Sequence, residues 1–129
     1  MNTISFVIPG VPITKKNHNR RIQRGKRVFT VPSEAYEKWN KAAIEPLRSK
    51  MAEWTSTIGL AFPLTAEMTM SCTVYRGARR GDLVNYIQAI QDTLQDAGVV
   101  EDDKFIVRLD DCVLGLDYEH PRVVIELTF

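Results

Sequence analysis

Residues 64–75 alternate apolar and polar side chains without interruption, and this alternation constrains the fold more than any other feature of the sequence. The apolar members are Leu64, Ala66, Met68, Met70, Cys72 and Val74. Because successive side chains of a β-strand point to opposite faces, the pattern predicts a strand with one face inward. Apolar runs at residues 3–8, 104–109 and 122–129 predict three further strands.

Two stretches repeat apolar residues at spacings of three and four, which is typical of amphipathic helices. The first runs from about 33 to 54, with Ser33 as a candidate N-cap, and Pro46 predicts a kink or break near residues 44–45. The second runs from about 83 to 97 and is followed by Gly98, a residue type favoured after helix ends. The order β, loop, α, β, α, β, β predicts an α+β fold in which a mixed sheet carries both helices on one face.

The length and composition of the chain exclude several classes of protein. The chain has 129 residues, so we expect residues 1–129 to form a single domain. The first ten residues are too short and too interrupted for a signal peptide, and no apolar run approaches membrane-spanning length, so we expect a cytoplasmic protein without a membrane partner. Cys72 and Cys112 lack the spacing of a zinc site or a disulfide framework. No glycine-rich nucleotide loop is present, and we expect no small-molecule cofactor.

Positive charge is concentrated in one segment, although the formal net charge of the chain is only +1. Residues 15–27 contain seven cations and no acid. Such a segment is either a solvated loop or a phosphate-binding element, and the absence of acids favours phosphate contact. We expect an extended hairpin or a partly mobile arm that binds a nucleic-acid backbone. Its candidate DNA-binding residues are Lys15, Lys16, Asn17, Arg20, Arg21, Arg24, Lys26 and Arg27.

Carboxylates stand at both ends of the second predicted helix. Asp82 follows Arg79, Arg80 and Gly81, so a negative side chain lies beside two cations, an arrangement suited to holding a divalent metal against a phosphate backbone. Just past the helix stand Glu101, Asp102 and Asp103. Simpler explanations exist, since Asp82 could be only the N-cap of the helix and the later acids only solvated turn residues.

The second helix and its flanks contain a recognisable series of residues. In order, they are Asp82-Leu83-x-Asn85, Asp92, Leu94, Ala97-Gly98 and Asp102-Asp103, and near its start the chain reads IPGVPITKKNH. This combination resembles RusA-type Holliday junction resolvases over nearly the whole chain. The resemblance implies a homodimeric, Mg²⁺-dependent endonuclease of phage or prophage origin, in which Mn²⁺ is an alternative metal. Its expected substrate is branched DNA, a four-way junction cut by paired incisions.

The resemblance also implies roles for individual residues. Asp82 matches the family's first essential aspartate and Asp103 the last, with Asp102 beside it, so these three are the candidate catalytic residues. Asp82 and Asp103 are the expected metal ligands, and Asp102 and Glu101 are further candidates. Arg79 and Arg80 are candidates for binding the scissile phosphate, although they could also only balance local charge.

Two positions depart from the family pattern. Val84 stands where the family carries a second aspartate, and Gln88 stands where it carries a lysine. Because Mg²⁺ usually takes one or two carboxylates together with waters and phosphate oxygens, losing one carboxylate should weaken metal binding without abolishing it. Losing the lysine removes a cation that could stabilise developing charge. An alternative function is therefore a weakened or inactive protein of the same fold that binds branched DNA. A structural phage protein without a nucleic-acid role is a third.

Reach limits how Asp82 and Asp103 can meet. A helix over residues 83–97 is about 22 Å long at 1.5 Å per residue, whereas the five steps from Gly98 to Asp103 extend at most about 17 Å. One chain brings the two carboxylates together only if it doubles back almost fully stretched. We therefore expect the metal site to lie near a dimer interface or to be shared across it.

Overall fold

A computed structural model describes residues 1–14, 20–31 and 33–129 of the chain. In these ranges the elements are β1 (Thr3–Pro9), β2 (Arg20–Arg24), β3 (Arg27–Val31), α1 (Glu34–Ile58), β4 (Met68–Arg76), α2 (Leu83–Asp96), β5 (Ile106–Leu109), β6 (Val113–Leu116) and β7 (Arg122–Thr128). A short 3-10 turn, Asp103–Phe105, leads directly into β5. The predicted α+β class is confirmed.

Five of the strands form one mixed sheet, and β2 and β3 form a separate hairpin. The sheet order is β1-β7-β4-β5, and β6 also pairs with β4. β7 is antiparallel to both of its neighbours, whereas β5 and β6 run parallel to β4. Because parallel strands need a long crossover connection, α2 lies between the carboxyl end of β4 and the amino end of β5. The two ends of α2 therefore belong to opposite ends of the sheet.

One hydrophobic cluster joins the sheet to both helices. The sheet contributes the even-numbered residues of β1 and β4 and the odd-numbered residues of β7, namely Ile4, Phe6, Ile8, Met68, Met70, Cys72, Val74, Val123, Ile125 and Leu127. The buried residues of α1 and the apolar ones of α2 belong to the same cluster. Both helices thus cover the face of the sheet that carries these side chains, and burial of that face is the main stabilising term of the fold.

Helix α1 is longer than the sequence predicted. Its N-cap is Ser33, as predicted, and the Ser33 hydroxyl accepts a hydrogen bond from the Tyr36 amide at 3.1 Å. The helix continues to Ile58, rather than ending near residue 54, because Gly59 is the residue that adopts the left-handed conformation (φ 69°). It passes through Pro46 without a break. Within the described ranges, no helix has the length and apolar character needed to span a membrane.

The strand predicted over residues 64–75 begins later, at Met68. Leu64 is buried, but it forms an isolated parallel bridge with Val100 instead of joining β4. Ala66, which the alternation placed inward, is exposed. The chain bends at Ala66, between Leu64 and β4, and an alternation of residue types does not reveal such a bend.

The segment between α2 and β7 also differs from the prediction. The strand expected at residues 104–109 starts at Ile106, because the 3-10 turn occupies the preceding residues. The sequence did not predict β6, whose four residues are too few to show a period. Gly115 in β6 lies against Tyr75 of β4, where an added β-carbon would lie 2.9 Å from the tyrosine ring. Its missing side chain therefore allows the close pairing of β6 with β4.

Candidate active site

Asp82 caps the amino-terminal end of α2. Its Oδ1 accepts hydrogen bonds from the backbone amides of Val84, at 2.9 Å, and Asn85, at 3.3 Å. These bonds satisfy amides that have no acceptor inside the helix. Asp82 is therefore the N-cap of α2, but this role does not use the whole side chain. The cap occupies Oδ1 of Asp82. Because Asp82 is exposed, its Oδ2 is left for other contacts.

A cleft of about 720 Å³ opens beside Asp82. The loop after β1, the turn from β4 into α2 and the first turn of α2 meet there. The lining residues are Val11, Pro12, Ile13, Thr14, Arg76, Gly77, Ala78, Arg80, Gly81, Asp82, Asn85, Tyr86 and Pro121. The cleft thus brings Asp82 and Arg80, both selected from the sequence, next to the loop that leads into the basic segment. Arg79 is exposed and does not line the cleft.

Two residues of this cleft, Arg76 and Tyr86, were not predicted from the sequence. Arg76 donates hydrogen bonds from Nη1 to the Arg80 carbonyl, at 3.4 Å, and from Nε to the Gly115 carbonyl, at 3.2 Å. Tyr86 donates its hydroxyl to the same Arg80 carbonyl at 3.3 Å. Arg76 lies shortly before Arg79 and Arg80 in the sequence, and this local concentration of arginines could have identified it as a candidate. Tyr86 gave no such signal, because an aromatic residue on an amphipathic helix is indistinguishable from a core position.

The acidic pair Asp102–Asp103 lies beyond the other end of α2. Asp102 caps the 3-10 turn, and its Oδ1 accepts from the Lys104 amide at 2.9 Å. This hydrogen bond favours the ionised form and lowers the pKa of Asp102. The pKa of Asp103 is raised, first by partial desolvation and then by the hydrogen bond and negative charge of Asp102 and the charge of Asp92. Asp103 therefore holds a proton more readily than an isolated aspartate would, and Asp102 less readily, as the directions of their pKa shifts show.

Asp82 and Asp103 lie far apart within one chain. Asp82 follows the end of β4, whereas Asp103 precedes β5, and Ile106 at the start of β5 pairs with Met68 at the start of β4. The Asp103 amide donates to Oε1 of Gln95 at 3.3 Å, and the backbone of Gln95 lies about 20 Å from Asp82 along the helix axis at 1.5 Å per residue. Among the residues that the structure describes, no three His, Cys, Asp or Glu side chains are grouped to hold a metal.

The carboxylates present suit Mg²⁺ as partial ligand sets. Mg²⁺ prefers oxygen ligands and is usually bound through one or two carboxylates, with waters and substrate phosphates completing the shell. Asp102 and Asp103 offer two adjacent carboxylates, and Asp82 offers one free oxygen at the cleft. Glu101 is exposed, and its backbone amide bonds to the Leu64 carbonyl at 3.1 Å.

The basic segment forms a hairpin in the part that the structure describes. β2 pairs with β3, Arg24 lies opposite Arg27, and Gly25 in the connecting turn has φ 62°. The extended hairpin expected from the sequence is therefore present. Its exposed cations are Arg21, Arg24, Lys26 and Arg27. Three candidate DNA-binding residues, Lys15, Lys16 and Asn17, lie outside the described residues, as does the side chain of Arg20.

A model of the family described as Endodeoxyribonuclease RusA matches residues 9–128 of the chain. This match extends from the end of β1 to the end of β7 and includes the cleft, both ends of α2 and the hairpin. The chain belongs to the RusA endodeoxyribonuclease family. The resemblance seen in the sequence is thereby confirmed. No curated protein matches the chain.

Within the RusA fold, the two departures from the family pattern occupy different environments. Val84 is 72% exposed in the first turn of α2, so its side chain has no packing role that would explain the loss of a carboxylate. Gln88 lies one turn further along and donates its amide to Oδ1 of Asp92 at 3.1 Å. Gln88 thus binds the Asp92 carboxylate with an uncharged donor, whereas a lysine would form an ion pair with it.

Proposed function

We propose that this RusA-family protein is a metal-dependent endonuclease that resolves four-way DNA junctions by paired phosphodiester cleavage. The observation that carries the proposal is the family match over residues 9–128 together with the position of Asp82 at a cleft flanked by Arg80. Family membership supports a nuclease, and the cleft offers a carboxylate oxygen beside a cation. This combination suits a phosphate ester, because the cation attracts the phosphate to a carboxylate that binds metal.

The proposed metal ligands are Asp82 and Asp103, with Asp102 and Glu101 as supporting carboxylates. Bound Mg²⁺, or Mn²⁺ in its place, would supply an activated water and neutralise charge on the phosphodiester. Asp102 holds its orientation through the Lys104 amide, and it raises the proton affinity of Asp103. Arg80 and the more exposed Arg79 would bind phosphate oxygens at the cleft.

We infer that the active site is shared by two subunits. One chain holds Asp82 at the start of α2 and Asp103 against Gln95 near its end, and Gln95 lies about 20 Å from Asp82 along the helix axis. In a twofold-symmetric dimer with antiparallel α2 helices, Asp82 of one subunit approaches Asp103 of the other, and symmetry generates two such sites. Two equivalent sites also suit a reaction that makes paired incisions.

The basic hairpin is the proposed DNA-binding element. Its exposed arginines and lysine project from a strand pair that is separate from the main sheet. Contacts of this kind bind phosphates without reading sequence, and they make affinity steeply dependent on salt. The hairpin would therefore recognise the shape of branched DNA by spanning the backbones of adjacent arms.

The decisive experiment incubates the protein with a synthetic four-way junction and Mg²⁺, alongside the variants Asp82→Asn, Asp82→Ala and Asp110→Asn. Asparagine caps helices as well as aspartate does, so Asp82→Asn should keep the melting temperature while losing cleavage. Asp82→Ala should also lose about 1 kcal/mol of stability with the cap. Asp110 is an exposed residue that pairs with Arg108, and its replacement should leave cleavage intact. An Asp82→Asn protein that cuts at the wild-type rate would refute the role of Asp82.

The second candidate is a protein that binds branched DNA without cutting it. The side chains of Val84, which is exposed, and of Gln88, which bonds to Asp92, favour it. Each is uncharged at a position where the family carries a charged group. If the wild type binds the junction but does not cut it, and Val84→Asp with Gln88→Lys creates cleavage, the natural protein is a binder. If the wild type cuts and Asp82→Asn does not, it is an enzyme.

A further inference from the structure

Two side-chain donors from different elements converge on one backbone carbonyl just before Asp82. The Tyr86 hydroxyl, from α2, donates to the Arg80 carbonyl at 3.3 Å. Arg76 Nη1, from the end of β4, donates to the same oxygen at 3.4 Å. A backbone carbonyl has two lone pairs, so both bonds can form together. They connect the turn before Asp82 to the sheet on one side and to the helix on the other.

Tyr86 also packs against the residue that directly precedes Asp82. Gly81 has φ +104°, and a β-carbon there would overlap the hydroxyl and ring of Tyr86. The backbone amide of Tyr86 donates to the Asp82 carbonyl at 3.0 Å, in the first turn of α2. Tyr86 therefore contacts the turn before Asp82 through its ring and hydroxyl, and Asp82 itself through its backbone amide.

Arg76 is itself held in place. Its Nε donates to the Gly115 carbonyl of β6 at 3.2 Å, and Gly115 packs closely against Tyr75 in β4. The turn that carries Asp82 is thus connected to the paired strands β4 and β6. Without these bonds, the glycine next to Asp82 would leave this turn with considerable backbone freedom.

We propose that Tyr86 is a positioning residue that directs the free oxygen of Asp82 into the cleft, with Arg76 as its support. The inference rests on the proposed function of Asp82. The Asp82 carboxylate is exposed and is held by two hydrogen bonds to Oδ1, so the direction of Oδ2 depends on how the preceding peptide is fixed. Val84 supplies no second carboxylate in this turn, which makes the orientation of Asp82 more important to metal binding in this chain.

The test compares Tyr86→Phe, which removes only the hydroxyl, with Tyr118→Phe, which makes the same change at an exposed tyrosine (67% exposed). Cleavage of a four-way junction is measured under saturating and limiting DNA. Tyr86→Phe should lower kcat by about tenfold with KM unchanged. It should also raise the Mg²⁺ concentration needed for half-maximal rate by several-fold. Tyr118→Phe should change neither quantity. A structural role alone would lower the melting temperature without this division between kcat and KM.

Amide hydrogen exchange at Val84 and Asn85 gives a second reading that does not require cleavage. These amides donate to Asp82, so loosening of the turn should speed their exchange in Tyr86→Phe and not in Tyr118→Phe. If the wild type does not cut, the proposed function fails while exchange still tests Tyr86. Unchanged exchange, or a Tyr86→Phe enzyme within twofold of the wild-type kcat, overturns the inference. If Tyr86→Phe does not fold, Arg76→Gln is measured in its place, with the same expectations.

Discussion

Among the individual residues, two adjacent aspartates, Asp102 and Asp103, have pKa values shifted in opposite directions. The Lys104 amide lowers the pKa of Asp102, whereas partial desolvation, together with Asp102 and Asp92, raises the pKa of Asp103. At neutral pH the fold therefore places other negative charges close to the Asp103 carboxylate. Such an arrangement costs stability and suits a site that receives a metal ion.

Asp103→Asn should consequently stabilise the isolated protein at pH 7. A raised pKa in the folded state means that the folded state binds the proton more tightly, so stability falls as pH rises through that pKa. An asparagine side chain does not ionise, so this loss of stability disappears. Its amide can still donate a hydrogen bond to Asp102. The melting temperature of Asp103→Asn should exceed that of the wild type at pH 7, and the difference should vanish below pH of about 4, where both states are protonated.

Asp110→Asn is the matched control for this prediction. Asp110 is exposed and pairs with Arg108 at 3.6 Å, so its neutralisation should leave the melting temperature at pH 7 unchanged or slightly lower. A lower melting temperature for Asp103→Asn than for the wild type at pH 7, measured without divalent metal, would contradict the charge distribution around Asp103.

Among the secondary-structure elements, α1 tolerates a residue that its backbone geometry disfavours. Pro46 lies inside the 25-residue helix, where it removes one amide donor and crowds the preceding turn. Burial of Trp39, Ala43, Leu47 and Met51 against the core keeps both halves of the helix in place. Tertiary packing therefore overrides local propensity at this position.

Pro46→Ala should raise the free energy of unfolding, by up to about 3 kcal/mol if the proline is accommodated only because the core enforces it. Urea denaturation with wild-type and variant protein measures the difference. Glu45→Ala is the control, because Glu45 is the exposed neighbour of Pro46 and both glutamate and alanine favour helices. It should change the free energy of unfolding by less than about 0.5 kcal/mol. A Pro46→Ala protein less stable than the wild type would mean that α1 must bend there to follow the sheet.

For the molecule as a whole, the proposed sharing of the active site between two subunits predicts how mixed subunits behave. Neither Asp82→Asn nor Asp103→Asn homodimers should nick a junction, because every site lacks one ligand. Random pairing of the two variants gives heterodimers in which one site has both substitutions and the other has none. The mixture should therefore regain nicking at about a quarter of the wild-type site concentration.

Co-refolding of differently tagged subunits, followed by a nicking assay, makes this measurement. A mixture of two differently tagged Asp82→Asn preparations is the control and should stay inactive. Sedimentation of the wild type should first show a dimer. A mixture of the two variants as inactive as either parent would place both aspartates of a working site in the same subunit.

The charge of the hairpin should determine how binding depends on salt. In an Asp82→Asn background, Arg24→Gln with Arg27→Gln should reduce the slope of log affinity against log salt by about 0.9 for each phosphate that the protein no longer neutralises. Lys41→Gln with Arg48→Gln removes the same charge from exposed positions of α1 and should change the slope little. Equal effects of the two pairs would show that binding follows net charge alone.

Local sequence was sufficient for the features that depend on neighbouring residues. Periodicity indicated α1, α2 and most of β4, and apolar runs indicated β1 and β7. Ser33 and Asp82 were recognisable as candidate helix caps. These features could be predicted because side-chain direction and end-group hydrogen bonds follow from local backbone geometry. The motif residues of α2 and its flanks, together with the segment IPGVPITKKNH, were enough to identify the RusA family. Asp82 was also a candidate site residue from the sequence. Tyr86 and Arg76, which donate hydrogen bonds to the turn before it, were not.

Which distant residues meet became known only from the folded chain. The parallel pairing of β4 with β5 places Asp82 and Asp103 at opposite ends of the sheet, and no local pattern predicts a strand's partner. The same holds for β6 and for the contacts of Tyr86 and Arg76 with the Arg80 carbonyl. Pairing and packing maximise burial and satisfy hydrogen bonds between segments distant in the chain, so they depend on the whole sequence at once.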